Sequence, residues 1–177
     1  MHRIAVVAGS DGEKIQALLA AAATGWRAAG VAVVGLTAQS HQLPERSCTA
    51  GFLRDLATGA AYPIYLEEAP ADTSCHLDAV GVAAACAALL GQIPESDLVV
   101  LSKFGKLEAG NSGLAPAFEA AFAAGKPILT SVSERHRDAW LGYAPGAVEL
   151  PADEAAIERW WRALDGGGAA GARPGTA

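Results

Sequence analysis

Four segments of this 177-residue chain, 3–8, 31–37, 97–101 and 126–132, each hold a run of Val, Ile, Leu or Ala that does not alternate with polar residues. A strand with one wet face alternates. A strand covered on both faces does not, and parallel strands are covered because their crossovers lay helices on both sides. The intervening segments read as helices: from Asp11 or Gly12 to residue 29 with Gly30 closing it, the alanine-rich 77–90, and 114–124 closed by Gly125. A short helix over 135–141, a last strand over 147–150 and a final helix over 153–164 complete the pattern. Strands interleaved with helices predict a three-layer α/β fold with a mostly parallel sheet and right-handed crossovers. Two short runs, 51–56 and 62–67, joined by small residues around Gly59, predict an inserted β-hairpin. Polar loops over 38–47 and 70–76 flank it. One α/β domain is expected over 1–165, and the Gly/Ala/Pro-rich tail 166–177 is expected to be disordered.

Bulk properties exclude some functions. The net charge is −6 and only 18% of residues are charged, whereas binding to nucleic acid or anionic membranes calls for a basic face. Hydrophobic content is 51%, much of it alanine, and the densest apolar segment, 77–90, is broken by Asp78 and Gly81. No segment nears the roughly 20 apolar residues that cross a bilayer. The N-terminal MHRIAVVAGSDG lacks the long apolar region and cleavage site of a signal peptide, so a cytoplasmic location is expected. Three widely spaced cysteines do not make a secreted disulfide framework, and free thiols are expected. Trp140, Trp160 and Trp161 read as packing aromatics. No nucleic-acid partner and no membrane insertion are expected.

In open parallel sheets, ligands sit at the carboxyl ends of the strands. That brings three loops into one neighbourhood, 9–12, 102–113 and 131–137. In AVVAGSDGEKIQALL, a strand, a glycine-containing turn and a helix put Gly9, Ser10, Asp11, Gly12 and Lys14 where backbone N–H groups could hold an anion. A working P-loop reads G-x-x-x-x-G-K-[ST]. Here Val7 stands at the first glycine position, Glu13 follows Gly12, and Ile15 follows Lys14, so the hydroxyl that would hold Mg²⁺ is missing. An ordinary tight strand-to-helix turn accounts for these residues equally well. The second stretch, VVLSKFGKLEA, ends a buried run in Ser102, Lys103, Gly105, Lys106 and Glu108. Its lysines suit a bare oxyanion; the alternative is that Lys103 pairs with Glu108 or Asp11 and only orders the loop. Arg135, His136 and Arg137, on the same rim, either close over an anion or form ordinary helix-surface charge. Cys48, Cys75 and His76, with His41 as a fourth, form a candidate zinc set, although the tight C-x₂-C or H-x₃-H spacing is absent and buried structural thiols are the simpler account. Cys75 near a helix start is alternatively a redox-sensitive thiol. Cys86 reads as core, and Asp78 as a first-turn acid of its helix.

The layout of DLVVLSKFGKLEA, a helix and then GKPILTSV is similar to that of the small thermostable nucleoside-triphosphatase family of P-loop proteins. There an Asp-Glu pair precedes a hydrophobic residue, Gly, a variable residue, a hydrophobic residue and Glu, and the acids hold Mg²⁺ and activate water. Ser102 falls on the Asp position and Lys103 on the Glu position, while Gly105 and Glu108 match. A closer resemblance, over roughly residues 3–152, is to a bacterial domain family of unknown function that carries C-[RH]-L-D before a helix and K-F-G-K-x-E-A after a strand. This chain has Cys75-His76-Leu77-Asp78 and the segment from Lys103 to Ala109. Members occur beside molybdenum-related genes and are sometimes labelled molybdate-transport ATP-binding proteins. The resemblance implies a P-loop-NTPase-like topology, and as partners a molybdenum-pathway protein or a second copy of the chain. With Ser102 and Lys103 in place of carboxylates, Mg²⁺-dependent hydrolysis is disfavoured. The expected function is binding of an oxyanion such as molybdate or phosphate, or of a phosphate-bearing small ligand. The alternatives are a nucleoside triphosphatase with an atypical metal site, in which Glu108 is catalytic, and a metal or redox sensor using Cys48 and Cys75.

Overall fold

In the computed structural model, which describes residues 3–41, 50–68 and 76–165, the buried runs become strands of one sheet. In chain order the elements are β1 (Ile4–Ala8), α1 (Gly12–Ala28), β2 (Val33–Ser40), β3 (Ala50–Asp55), β4 (Ala61–Pro63), α2 (Ala79–Leu90), β5 (Leu98–Phe104), α3 (Lys106–Ala109), α4 (Ala115–Ala123), β6 (Ile128–Val132), α5 (Arg137–Tyr143), β7 (Val148–Pro151) and α6 (Glu154–Asp165). The sheet order is β4-β3-β2-β5-β6-β1-β7. The five strands from β2 to β7 are parallel; β3 and β4 form the antiparallel hairpin on the β2 edge.

This order dictates the layers. The β1-to-β2 crossover passes β6 and β5 in one direction, whereas those into β5, β6 and β7 run in the other. With one handedness for all, α1 must lie on the face opposite α2, α4 and α5. Two core clusters match. One joins α1 and α6 through Ile15, Leu19, Trp26, Ile157 and Trp161, with the Trp26 and Trp161 rings 5.3 Å apart. The other gathers Val82, Cys86 and Leu89 of α2 with Phe104, Phe118 and Trp140. The three-layer α/β arrangement and the inserted hairpin are as the apolar runs imply, and the topology is P-loop-NTPase-like.

Several boundaries differ from those the sequence predicts, each for a tertiary reason. β2 continues to Ser40 because β3 lies antiparallel to it, pairing Gln39 with Phe52 and Ser40 with Ala50. β4 stops at Pro63, and Tyr65 instead forms an isolated bridge with Leu77. That bridge keeps Leu77 out of α2, whose N-cap is Asp78, its carboxylate accepting from the Val80 N–H. The segment predicted as a helix from residue 135 makes a 3₁₀ turn over Glu134–His136 before α5 begins. β5 runs three residues further than its apolar run, to Phe104. Gly81 is required where α2 crosses the hairpin: a Cβ there would lie 1.9 Å from the Pro63 carbonyl oxygen. The tail 166–177 lies outside the described residues, as does most of each predicted polar loop. Among the described residues no helix is long and apolar enough to cross a membrane.

Candidate functional site

β1 and β6 lie side by side, yet the chain leaves β1 for the α1 face and leaves β6 for the α5 face. That divergence opens a crevice at the carboxyl ends of the strands. A cleft of about 1160 Å³ fills it and reaches across β5 and β2 to the hairpin. The three rim loops predicted to share a neighbourhood do so: Gly9, Ser10, Asp11, Gly12, Ser102, Lys103, Gly105, Lys106, Glu108 and Arg135 all line this cleft. Lys14 does not, and Arg137 is turned away, paired with Glu149.

The carboxyl end of β5 is built on a bulge. Leu101 pairs with Thr130 and Phe104 with Val132, so Ser102 and Lys103 together face Ser131 alone. A bulge inserts one residue and re-aims its neighbours, a device found beside active sites. Two side chains hold the bulged backbone: Gln16 Nε2 donates to the Ser102 carbonyl at 2.7 Å, and Ser131 Oγ donates to it at 2.8 Å. Gln16 also accepts from the Ala38 N–H at 2.8 Å, so one α1 side chain ties the ends of β5 and β2 together. Ser102 and Phe104 are buried while Lys103 is left exposed on the cleft.

Glu108 serves the turn that follows. It is 7% exposed, with Oε2 accepting from the Gly105 N–H and Oε1 from the Leu114 N–H, both at 2.9 Å. The chain wraps around it through Asn111 and Gly113, both with positive φ; a Cβ on Gly113 would lie 2.5 Å from Glu108 Oε1. Each carboxylate oxygen therefore already holds a backbone donor. The carboxylate is not paired with Lys103.

The charges of the cleft are unevenly engaged. Among the described residues, Lys103, Lys106 and Arg135 make no ion pair or hydrogen bond through their side chains. Of the acids that share the cleft, Asp11 is the N-cap of α1 and accepts from the Lys14 N–H at 3.0 Å; Glu13 and Glu134 are exposed. A carboxylate thus already occupies the dipole end of α1, where a P-loop would hold phosphate. The free positive charge lies instead over β5 and β6.

Of the candidate zinc set, Cys48 and Cys75 lie outside the described residues. His76 Nδ1 is 2.8 Å from the Leu66 carbonyl, and the rings of His76 and His41 both pack on Tyr65, at 5.3 Å and 4.4 Å. Among the described residues no three His, Cys, Asp or Glu side chains are grouped to hold a metal ion. Cys86 is core, and burial pushes its thiol up from its ordinary value of 9.0. Trp140, Trp160 and Trp161 are buried packing residues, as read from the sequence.

The sequence did not point to Gln16 or the hairpin side chains Leu53 and Ile64 as parts of the site, and it reached Ser131 only as the first residue of the 131–137 rim loop. Gln16 carries a weak signal, a polar residue between Ile15 and Leu19 near a buried helix face. The hairpin leaves none, because only the sheet order brings it to the cleft.

The fold defines a P-loop-NTPase-like α/β protein, and its first strand-to-helix turn lacks the G-x-x-x-x-G-K-[ST] pattern. The chain belongs to DUF2478, a family of proteins of unknown function whose model matches residues 4–160. It is also 33% identical over 164 residues to the molybdenum import ATP-binding protein ModC 2 of Bradyrhizobium diazoefficiens. The alignment takes in 91% of this chain but 18% of that protein, so the chain spans less than a fifth of its relative's length. No solved structure matches the chain.

Proposed function

We propose that the cleft binds a small anionic ligand, an oxyanion or a phosphate-bearing molecule, through Lys103, Lys106 and Arg135, without Mg²⁺-dependent hydrolysis. The observation that carries this is the set of three cations lining one cleft with no acid partner. Exposed pairs contribute little, and a cation not held in an ion pair or hydrogen bond keeps its donors available to an incoming anion. Ser102 and Lys103 offer no carboxylate at the strand end that would anchor a metal–nucleotide complex. The printed name of the relative supports trying molybdate and tungstate first, with ATP and GTP beside them. A second reading, nucleotide hydrolysis with an atypical metal site, draws on the words "ATP-binding" in that name and on Asp11, Glu13 and Glu134 lining the cleft.

Thermal unfolding with molybdate, tungstate, phosphate, ATP and GTP, each with and without Mg²⁺, tests both. An anion at 100 times its Kd stabilises by about 2.7 kcal/mol, which raises Tm by about 5–10 °C in a chain of this length. Lys103→Ala is expected to abolish the shift while moving the ligand-free stability by less than about 0.5 kcal/mol, as for other exposed substitutions. No shift with any anion would remove the proposal. Release of phosphate from ATP or GTP that depends on Mg²⁺ would favour the second reading.

A further inference from the structure

The cleft is far larger than three cations and an inorganic anion need. A tetrahedral oxyanion displaces only a few waters, each about 30 Å³ in the liquid, whereas pockets that enclose whole organic ligands run to about 300–1,000 Å³. At about 1160 Å³ this cleft is in the second class. Its lining also changes character along the sheet. Over β5, β6 and β1 it is polar and charged, Lys103, Lys106 and Arg135 sharing it with Asp11, Glu13, Glu108 and Glu134; past Gln39 and Ser40 of β2, toward the hairpin and α2, it gains Leu53, Ile64, Leu77 and Val82, joined by Leu107 and Leu114. Leu53, Ile64, Val82 and Leu114 are core residues that floor this half, 3–4% exposed, while Leu77 and Leu107 are half-buried and offer more of their surface to it. The helix end that a nucleotide-binding loop would turn toward phosphate is already capped by the Asp11 carboxylate.

We infer that the cleft takes an organic phosphate bearing a flat ring, the phosphoryl group over β5 and β6 on Lys103, Lys106 and Arg135, and the ring in the apolar half against Leu53, Ile64, Leu77 and Val82. This rests on the anionic-ligand reading and narrows it from any oxyanion to a ring-bearing phosphate. It also places the phosphoryl group two strands from the hairpin, on the β5 bulge, rather than on the α1 N-terminus. An inorganic oxyanion fills the cationic half alone and leaves the apolar half wet. A ring removes that apolar surface from water, so ring-bearing ligands bind more tightly than their ringless counterparts.

Calorimetric titration of the full chain with adenosine 5′-monophosphate, guanosine 5′-monophosphate, 1-naphthyl phosphate, ribose 5-phosphate and inorganic phosphate tests the inference. At least one ring-bearing phosphate is expected to bind about tenfold or more tighter than ribose 5-phosphate and phosphate. Leu77→Ala and Leu107→Ala, both at half-buried positions, are expected to erase most of that advantage and leave phosphate affinity unchanged. Lys103→Ala is expected to weaken every ligand. Equal affinity for ringed and ringless phosphates, or loss of phosphate binding in both leucine variants with their melting temperatures intact, overturns the inference while the anion site stands. Absence of binding by all five overturns the anion site too.

Discussion

Glu108 is where chemical identity and structural use diverge most. Its neighbours Gly105 and Lys106 sit on the cleft, yet its two oxygens hold the Gly105 and Leu114 N–H groups in a buried turn. Glu108→Ala leaves both buried donors without partners, at about 1–3 kcal/mol each. The expected outcome is a large fall in unfolding free energy by chemical denaturation. Glu108→Gln keeps an amide oxygen for one donor and is expected to lose less. If the carboxylate were instead a catalytic group free in the cleft, both variants would keep wild-type stability and lose activity. The sequence placed a glutamate three residues after Gly105, but which groups its oxygens meet depends on the turn through Asn111 and Gly113. Lys103 shows the same limit in reverse. Its charge was legible, whereas its lack of an acid partner follows from the backbone having claimed Glu108 first.

At the scale of elements, unbroken apolar runs located four of the five strands of the parallel sheet, all but β7, and the hairpin was legible from small residues between two apolar runs. Strand ends were less legible, because pairing sets them. The β5 bulge exists because Leu101 and Phe104 both keep register with β6, leaving two residues opposite Ser131. No local pattern in SKF announces that. The contact between α2 and the hairpin depends on one residue, Gly81, whose missing side chain lets the helix rest on the Pro63 carbonyl. Gly81→Ala intrudes a methyl group where no space exists, and overpacking of this kind costs about 1–3 kcal/mol despite alanine's better helix propensity. Because α2 and the hairpin wall the apolar half of the cleft, the variant is also expected to weaken ring-bearing ligands more than phosphate. Denaturation and titration of the same preparation read both effects.

For the whole molecule, Asp55 links the hairpin to the α2 end of the sheet. Its carboxylate accepts from the Ala57 and Thr58 N–H groups and from Gln92 Nε2, and it is 1% exposed. Burial by itself would raise its pKa, but the hydrogen bonds from Thr58, Gln92 and Ala57 outweigh it and hold the carboxyl below its ordinary value of 3.8. A carboxyl whose folded pKa is depressed stabilises the fold above its unfolded value, and the contribution is lost as pH falls through the folded one. Melting temperature is therefore expected to be insensitive to this group at neutral pH and to fall below about pH 4. Asp55→Asn is expected to lower the neutral-pH melting temperature and to flatten that acid limb. An acid limb identical in the variant would show that other groups set it.

The sequence alone determined the layered α/β plan, since unbroken apolar runs need cover on both faces and alanine-rich helices supply it. It also determined that the β5 strand end carries Ser102 and Lys103, with no carboxylate at either position. Tertiary structure decided the rest of the site. Sheet order set the hairpin and α2 across the cleft from the lysines, and the bulge turned Lys103 toward it. Asp11 caps the helix end that the sequence left open to an anion. Each of these depends on which distant backbone groups become neighbours, and hydrogen bonds between such groups leave no trace in local periodicity.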